Sequence, residues 1–312
     1  MNIGEVANRT LTKTTSLRLS RMLFALLALG LVATLGRAQT PTGDDVHGQL
    51  AGNTSTPRPS LDFKLYRGHL IVISGSVGGL KNLHFLVDTA ATRSIATKRL
   101  VERLGAHQHP GTIYVPAETV GAGLAVLTDL RAGPLAAKSL SVVALDLASV
   151  EEELGTHIDM LIGLDLLGQS SFSIDYETKH IFFGPPPALP LMIPMESGPP
   201  WVSVTAQVDG RPLRLLVSTA VPALSLYAPN GETLTRDVKI DQANLNVNMA
   251  GGGFVSKRVS VQSLRLGDVE LGRQAAFLIT QRRTEFDGSL PIPGGFKEVA
   301  FDFEHHLLGL RR

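Results

Sequence analysis

One short segment occurs twice in this chain of 312 residues. Phe85-Leu86-Val87-Asp88-Thr89-Ala90 in the first half is answered by Leu215-Leu216-Val217-Ser218-Thr219-Ala220 in the second, an offset of 130 residues (218 against 88). Three further matches follow in order. Gly121-Ala122-Gly123 is answered by Gly251-Gly252-Gly253, and Asp159-Met160-Leu161-Ile162-Gly163 by Asp287-Gly288-Ser289-Leu290-Pro291. Phe172-Ser173-Ile174-Asp175-Tyr176 is answered by Val299-Ala300-Phe301-Asp302-Phe303. One match alone would carry little weight. Four in order, at offsets that drift by only three residues, mean a duplicated unit, so the fold must be two similar bodies.

Each body reads as β structure. His69–Val77, Leu83–Val87, Val126–Leu130, Leu140–Leu145 and Phe172–Ile174 are short apolar runs bounded by Gly and Asx residues, the pattern of strands and turns. Thr97–Leu104 is the best helix candidate. The expected organisation is a unit over 61–184, a Pro-rich linker over 185–200 and a second unit over 201–312. The linker assignment rests on proline, which cannot donate to a β-ladder.

The chain ahead of the first unit has a different character. Arg9, Lys13, Arg18 and Arg21 precede the apolar run Met22–Leu35, and Gly36-Arg37-Ala38 supplies small residues. This is the pattern of a secretory signal over 1–38, with cleavage expected after Ala38 and a secreted or periplasmic destination. The run is short for a membrane span of about 20 residues, and an uncleaved N-terminal anchor is the alternative. Residues 39–60 are polar and rich in Thr, Gly and Pro, as in a flexible tether. The formal charge of +1 belongs to the leader: without residues 1–38 the count is 24 basic and 27 acidic. Basic character is thus no sign of a nucleic-acid partner. There is no Cys, which excludes disulfides, thiolate metal sites and a cysteine nucleophile.

An apolar strand ending in Asp-Thr-small, followed within the same unit by a glycine-bearing segment, an apolar-apolar-Gly turn and a closing Asp-bearing strand, resembles the retropepsin-like bacterial aspartyl proteases. The residues concerned are Val87–Ala91, Gly121–Gly123, Asp159–Gly163 (with Met160 where that family has Gly) and Ile174-Asp175. The likeness is good over 61–184 and weaker over 200–312. It implies two retropepsin-like β-barrel units in tandem, packed as a pepsin-like bilobal pseudo-dimer and hence a monomer. It also implies hydrolysis of a peptide or protein substrate by water activated at Asp88. Thr89, Ala90, Ser218 and Thr219 would support the site, the two threonines bracing the loops across the pseudo-two-fold axis. Gly121, Ala122 and Gly123 would form a flap, Asp175 and Asp302, which close the units, would be structural, and Asp165 would sit just outside the site. A carboxylate pair in such an enzyme shares one proton and favours acidic pH.

The second unit departs from that pattern. Ser218 stands where the second Asp belongs, and a hydroxyl cannot hold the shared negative charge. Both motifs read Thr-Ala where the family favours Thr-Gly, so a methyl group crowds a tight loop. The apolar-Gly turn has become Ser289-Leu290-Pro291. A catalytically impaired pseudo-protease that binds peptides is therefore the alternative function. Other chemistry is poorly supported. His107/His109 and His305-His306 lack a carboxylate at metal-ligand spacing. Ser74-Gly75-Ser76-Val77-Gly78 misses the nucleophile elbow, and no phosphate- or dinucleotide-binding glycine pattern occurs. No cofactor and no metal are expected.

Overall fold

The computed structural model describes residues 57–114, 119–228, 239–249, 252–280, 285–292 and 295–312. The leader and the tether up to residue 56 lie outside the described residues. Among the described residues no helix is long and apolar enough to cross a membrane.

The repeated segment folds the same way twice. Leu80–Val87 pairs in parallel with Met160–Ile162, Val87 opposite Ile162. Ile95–Thr97 pairs antiparallel with the other edge of that strand, Ile95 opposite Leu161. The chain between, from Asp88 to Ser94, therefore crosses the end of Met160–Ile162. In the second unit Arg211–Ser218 lies parallel to Gly288–Pro291, Leu216 opposite Ser289 and Ser218 opposite Pro291. Leu224–Ala228 takes its other edge, Ser225 opposite Ser289. Side chains alternate across a strand. Leu83, Phe85 and Val87 enter one apolar cluster, while Leu86 enters a second on the opposite face. Leu213, Leu215 and Val217 repeat the first set.

Two aspartates fix this geometry by identical means. Asp159 accepts the His84 N–H through Oδ2 and donates its own N–H to the His84 carbonyl, each at 2.9 Å. Asp287 does the same with Arg214, each at 2.8 Å. Asp175 and Asp302, expected to be structural, accept the turn N–H groups of Glu177 and Thr178 and of His305.

The units are joined through a six-stranded sheet in the order Ser60–Asp62, His180–Phe183, Phe172–Asp175, Glu298–Asp302, Leu307–Arg311, Leu191–Pro194. Its central pair, Phe172–Asp175 against Glu298–Asp302, brings one strand from each repeat together in antiparallel register. Phe172 and Phe301 stack there with ring centroids 4.6 Å apart. The segment preceding each unit forms that unit's outer strand, so the arrangement has two-fold pseudo-symmetry. One apolar cluster runs through both units without a break, from Phe85 and Phe172 to Leu215, Phe301 and Leu308. The fold is thus all-β, two acid-protease units in a bilobal pseudo-dimer.

Local reading from sequence missed three features. The middle of the Pro-rich segment, Leu191–Pro194, is a strand. Proline is tolerated there because the strand lies at a sheet edge, with no further partner to receive an N–H. Gly121, Ala122 and Gly123, expected to form a flap, do not sit at the turn of their hairpin. They lie in the strand Thr119–Ala132, opposite Thr112, Gly111 and Pro110 of Gln108–Tyr114. The turn of that hairpin, 115–118, is outside the described residues, as is Gly251; Gly252 and Gly253 pair with Met249 and Asn248. The helix expected over Thr97–Leu104 is present as Lys98–Arg103, capped by Thr97, which accepts the Leu100 N–H, but Ala148–Leu154 and Leu164–Leu167 are additional short helices.

Candidate active site

The loops that follow Val87 and Val217 meet at the pseudo-two-fold axis. Thr89 Oγ1 donates to the Val217 carbonyl at 2.8 Å, and Thr219 Oγ1 donates to the Val87 carbonyl at 3.0 Å. The Thr89 N–H adds a bond to Thr219 Oγ1 at 3.2 Å. Each threonine thus reaches the carbonyl that precedes the other loop's key residue. Both are fully buried, so these bonds are not in competition with water.

The key residues face each other inside this brace. Ser218 Oγ donates to Asp88 Oδ1 at 3.1 Å. Asp88 Oδ1 also accepts the Ala90 N–H at 2.9 Å, and Ser218 Oγ accepts the Ala220 N–H at 3.2 Å. Two loops of the same shape therefore present a carboxylate and a hydroxyl to one another. Ala90 and Ala220 are both buried, and neither has the positive φ that would require glycine. The methyl groups are accommodated without backbone strain.

Asp88 is electrostatically exposed to little but its own burial. It has no solvent exposure. Desolvation pushes its carboxyl up to about 7, against weaker opposing pulls from the Ala90 N–H and the Ser218 hydroxyl. Its two oxygens differ. Oδ1 accepts two hydrogen bonds, while Oδ2 is buried with no partner among the described residues. Oδ2 is thus the atom free to hold a proton or to accept one from a bound group.

The first unit keeps a second brace that the other has lost. Ser94 donates Oγ–H and N–H to the two oxygens of Asp165, at 2.7 and 2.8 Å. Ser94 Oγ accepts the Gly163 N–H at 3.1 Å. A Cβ on Gly163 would lie 2.7 Å from the Ala91 carbonyl oxygen, which is why only glycine fits beneath the Asp88 loop. The corresponding residues are Leu224 and Pro291. Leucine offers no acceptor and proline no N–H, so both ends of the interaction have gone together.

The elements around the loops differ in chemistry between the halves. Ala122 and Ile113 of the first hairpin share an apolar cluster with Leu86, Ala91, Ile95, Leu161 and, from the second unit, Ala220. In the second unit the counterparts of Ile95, Thr97 and Leu161 are Ser225, Tyr227 and Ser289. Tyr227 and Ser289 share a hydrogen bond of 2.6 Å. Burial pushes the Tyr227 phenol up to about 12, with the charge of Asp88 adding to the shift. Sequence reasoning missed this tyrosine because Leu-Ser-Leu-Tyr-Ala reads as an ordinary core strand. The signal lay in the repeat itself, which sets Tyr227 against Thr97.

Residues 73–166 match a protein-family model described as aspartyl protease. No curated protein matches the chain significantly. Among solved structures the chain is similar to basic 7S globulin from soybean, at 12% identity and a TM-score of 0.43. It is also similar to conglutin gamma, a basic 7S globulin from lupine seeds, at 12% identity and a TM-score of 0.46. Each likeness covers 82% of this chain and 95% of the other. The matched segment holds the Asp88 loop, its partner strand and the Ser94–Asp165 brace, and over that segment the chain is similar to the aspartyl proteases.

Proposed function

We propose that the protein is an exported aspartic-type peptidase that works with one carboxylate in place of two. The observation that carries this is the 3.1 Å bond from Ser218 to Asp88 Oδ1, which leaves Oδ2 unpartnered. In its ionised form Asp88 takes a proton from water through Oδ2 as the water oxygen attacks a peptide carbonyl. The same proton then passes to the departing amine nitrogen. Ser218 holds Oδ1 but cannot supply the acidic proton of a second carboxyl. General acid–base assistance is worth roughly 10² to 10⁴ in rate, so turnover falls by about that factor relative to a paired-carboxylate enzyme. Thr89, Thr219, Ala90 and Ser218 position Asp88, and the hairpin bearing Gly121–Gly123 covers the bound peptide.

A second reading is a peptide-binding protein derived from a peptidase. It is favoured by the complete burial of both Asp88 and Ser218, since a peptide reaches Asp88 only when the elements covering it part. One experiment separates the two. The wild type and Asp88→Asn are incubated with a mixed peptide library and the products identified by mass. Cleavage by the wild type alone supports the peptidase; binding without cleavage by either supports the binding protein. The export half of the proposal rests on residues 1–38 and is tested by N-terminal sequencing of the protein from the cell-envelope fraction. A start near Gln39 supports it, and full-length protein in the cytoplasm contradicts it.

A further inference from the structure

The second unit presents more to Asp88 than Ser218. Along Leu224–Ala228, Ser225 and Tyr227 are two residues apart and so share one face of the sheet. Ser225 and Leu216 both lie opposite Ser289, and Ser218 follows Leu216 by two. Ser218, Ser225, Tyr227 and Ser289 are thus gathered on one face, and all are buried. The same face of the first unit carries apolar Ile95 and Leu161.

Proton counting shows what this face has spare. Tyr227 and Ser289 carry two hydroxyl protons but share one hydrogen bond. Whichever donates, the other proton has no acceptor among the described residues. Ser225 Oγ is likewise buried without a partner, and so is Asp88 Oδ2. Buried hydroxyl and carboxyl groups normally find partners. Here a surplus of donors in one unit stands beside a bare acceptor in the other. Ser218, on the same face as Tyr227, lies 3.1 Å from Asp88 Oδ1, so the hydroxyl-bearing face of the second unit adjoins the carboxyl. No Lys, Arg, His or second carboxyl acts on Asp88 among the described residues.

We propose that Tyr227, seated on Ser289, is the neutral donor that faces Asp88 from the second unit, giving a hydrogen bond to the oxygen of a peptide carbonyl bound between them. The proposal rests on the peptidase-type reading of Asp88. It assigns Tyr227 the part left open by the missing carboxyl. As water attacks, the carbonyl π pair moves onto oxygen, and the hydroxyl steadies the resulting oxyanion without giving up its proton. The phenol keeps that proton from about pH 7, where Asp88 ionises, up to about pH 12. A neutral donor of this kind contributes less than a charged one, in keeping with low turnover.

The test compares two peptides of identical sequence, one with a statine-type hydroxyl in place of the scissile carbonyl and one with a methylene there. The hydroxyl compound should bind the wild type more tightly. Tyr227→Phe should weaken the hydroxyl compound about two- to twelvefold, the range of a neutral hydrogen bond of about 0.5–1.5 kcal/mol, and leave the methylene compound unchanged. Equal effects on both, or none on either, would overturn the assignment. Ser289→Ala, which removes the seat of the phenol, should act in the same direction. If the wild type binds neither compound, the peptidase-type reading fails, and the geometry is still tested by ¹³C NMR of the Asp88 carboxyl. Tyr227→Phe should then raise the Asp88 titration midpoint by roughly half a unit, and an unmoved midpoint would overturn it.

Discussion

Ser218 Oγ and Asp88 Oδ1 lie 3.1 Å apart across the pseudo-two-fold axis, each held by the N–H two residues further on. The geometry of a carboxylate pair has been kept while its chemistry has been halved. A pair of carboxylates shares a proton because both cannot ionise. A serine imposes no such repulsion, and the raised pKa of Asp88 comes from burial instead.

The pH dependence of stability follows from that cause. The folded protein holds the Asp88 proton more tightly than the unfolded chain, whose Asp titrates near 3.8. Asp88 therefore contributes stability that is fully present below pH 3.8 and is lost as pH rises through about 7. Asp88→Asn removes the ionisable group at nearly constant size. Melting temperature measured against pH should show the variant more stable than the wild type at pH 8, with the difference shrinking toward pH 4. A difference that does not change with pH would place Asp88 in a solvated setting.

Activity, where present, should follow the opposite limb. A lone base works when ionised, so cleavage should rise as pH passes through about 7. The acidic optimum expected from a shared proton would require a second carboxyl close to Asp88. A pH–rate profile with its maximum below pH 5 contradicts the single-carboxylate mechanism.

The threonine brace gives an ordered pair of stability changes. Thr89→Val removes one side-chain donor and leaves the Val217 carbonyl unpaired. Thr219→Val removes a donor to the Val87 carbonyl and also the acceptor of the Thr89 N–H. Each buried group left unpaired costs about 1–3 kcal/mol. Thr219→Val should therefore be the more destabilising in chemical denaturation, by about the cost of one such group. Equal effects would mean that the 3.2 Å bond from the Thr89 N–H contributes nothing.

Much of this was legible in the repeat. Asp88 and Ser218, Thr89 and Thr219 were paired by sequence alone, because their role depends on backbone position within a duplicated unit. The chemistry around Asp88 was less legible. Tyr227, Ser225 and Ser289 come together only once Gly288–Pro291 lies between two strands, a juxtaposition that no local pattern encodes. Leu191–Pro194 was hidden by its flanking prolines, since composition cannot distinguish a linker from an edge strand. Gly121–Gly123 suggested a flap but not which part of it, and a hairpin arm tolerates small residues where other chain lies close. A Cβ on Gly123 would collide with Gln108 Oε1 and lie 3.2 Å from the Ala144 Cβ.

The shared sheet bears on assembly. Phe172–Asp175 already has its partner in Glu298–Asp302 of the same chain, so the strand edge by which a single unit would dimerise is occupied. Light scattering on the protein lacking residues 1–38 should give the mass of one chain at all concentrations. A mass of twice that value, with activity that falls on dilution, would point to a dyad assembled between chains.

The most direct test of the central claim is the titration of Ser218→Asp. If the two loops face each other as described, the new carboxyl sits about 3 Å from that of Asp88, and the pair must share a proton. ¹³C NMR of the two carboxyls should then show two well-separated steps belonging to the pair, one of them far above the ordinary value near 3.9. Peptide cleavage should rise by about 10² or more. A folded Ser218→Asp protein in which Asp88 titrates as in the wild type, and the new Asp as an independent group, would show that the two residues are not neighbours and that the pseudo-dimer account is wrong.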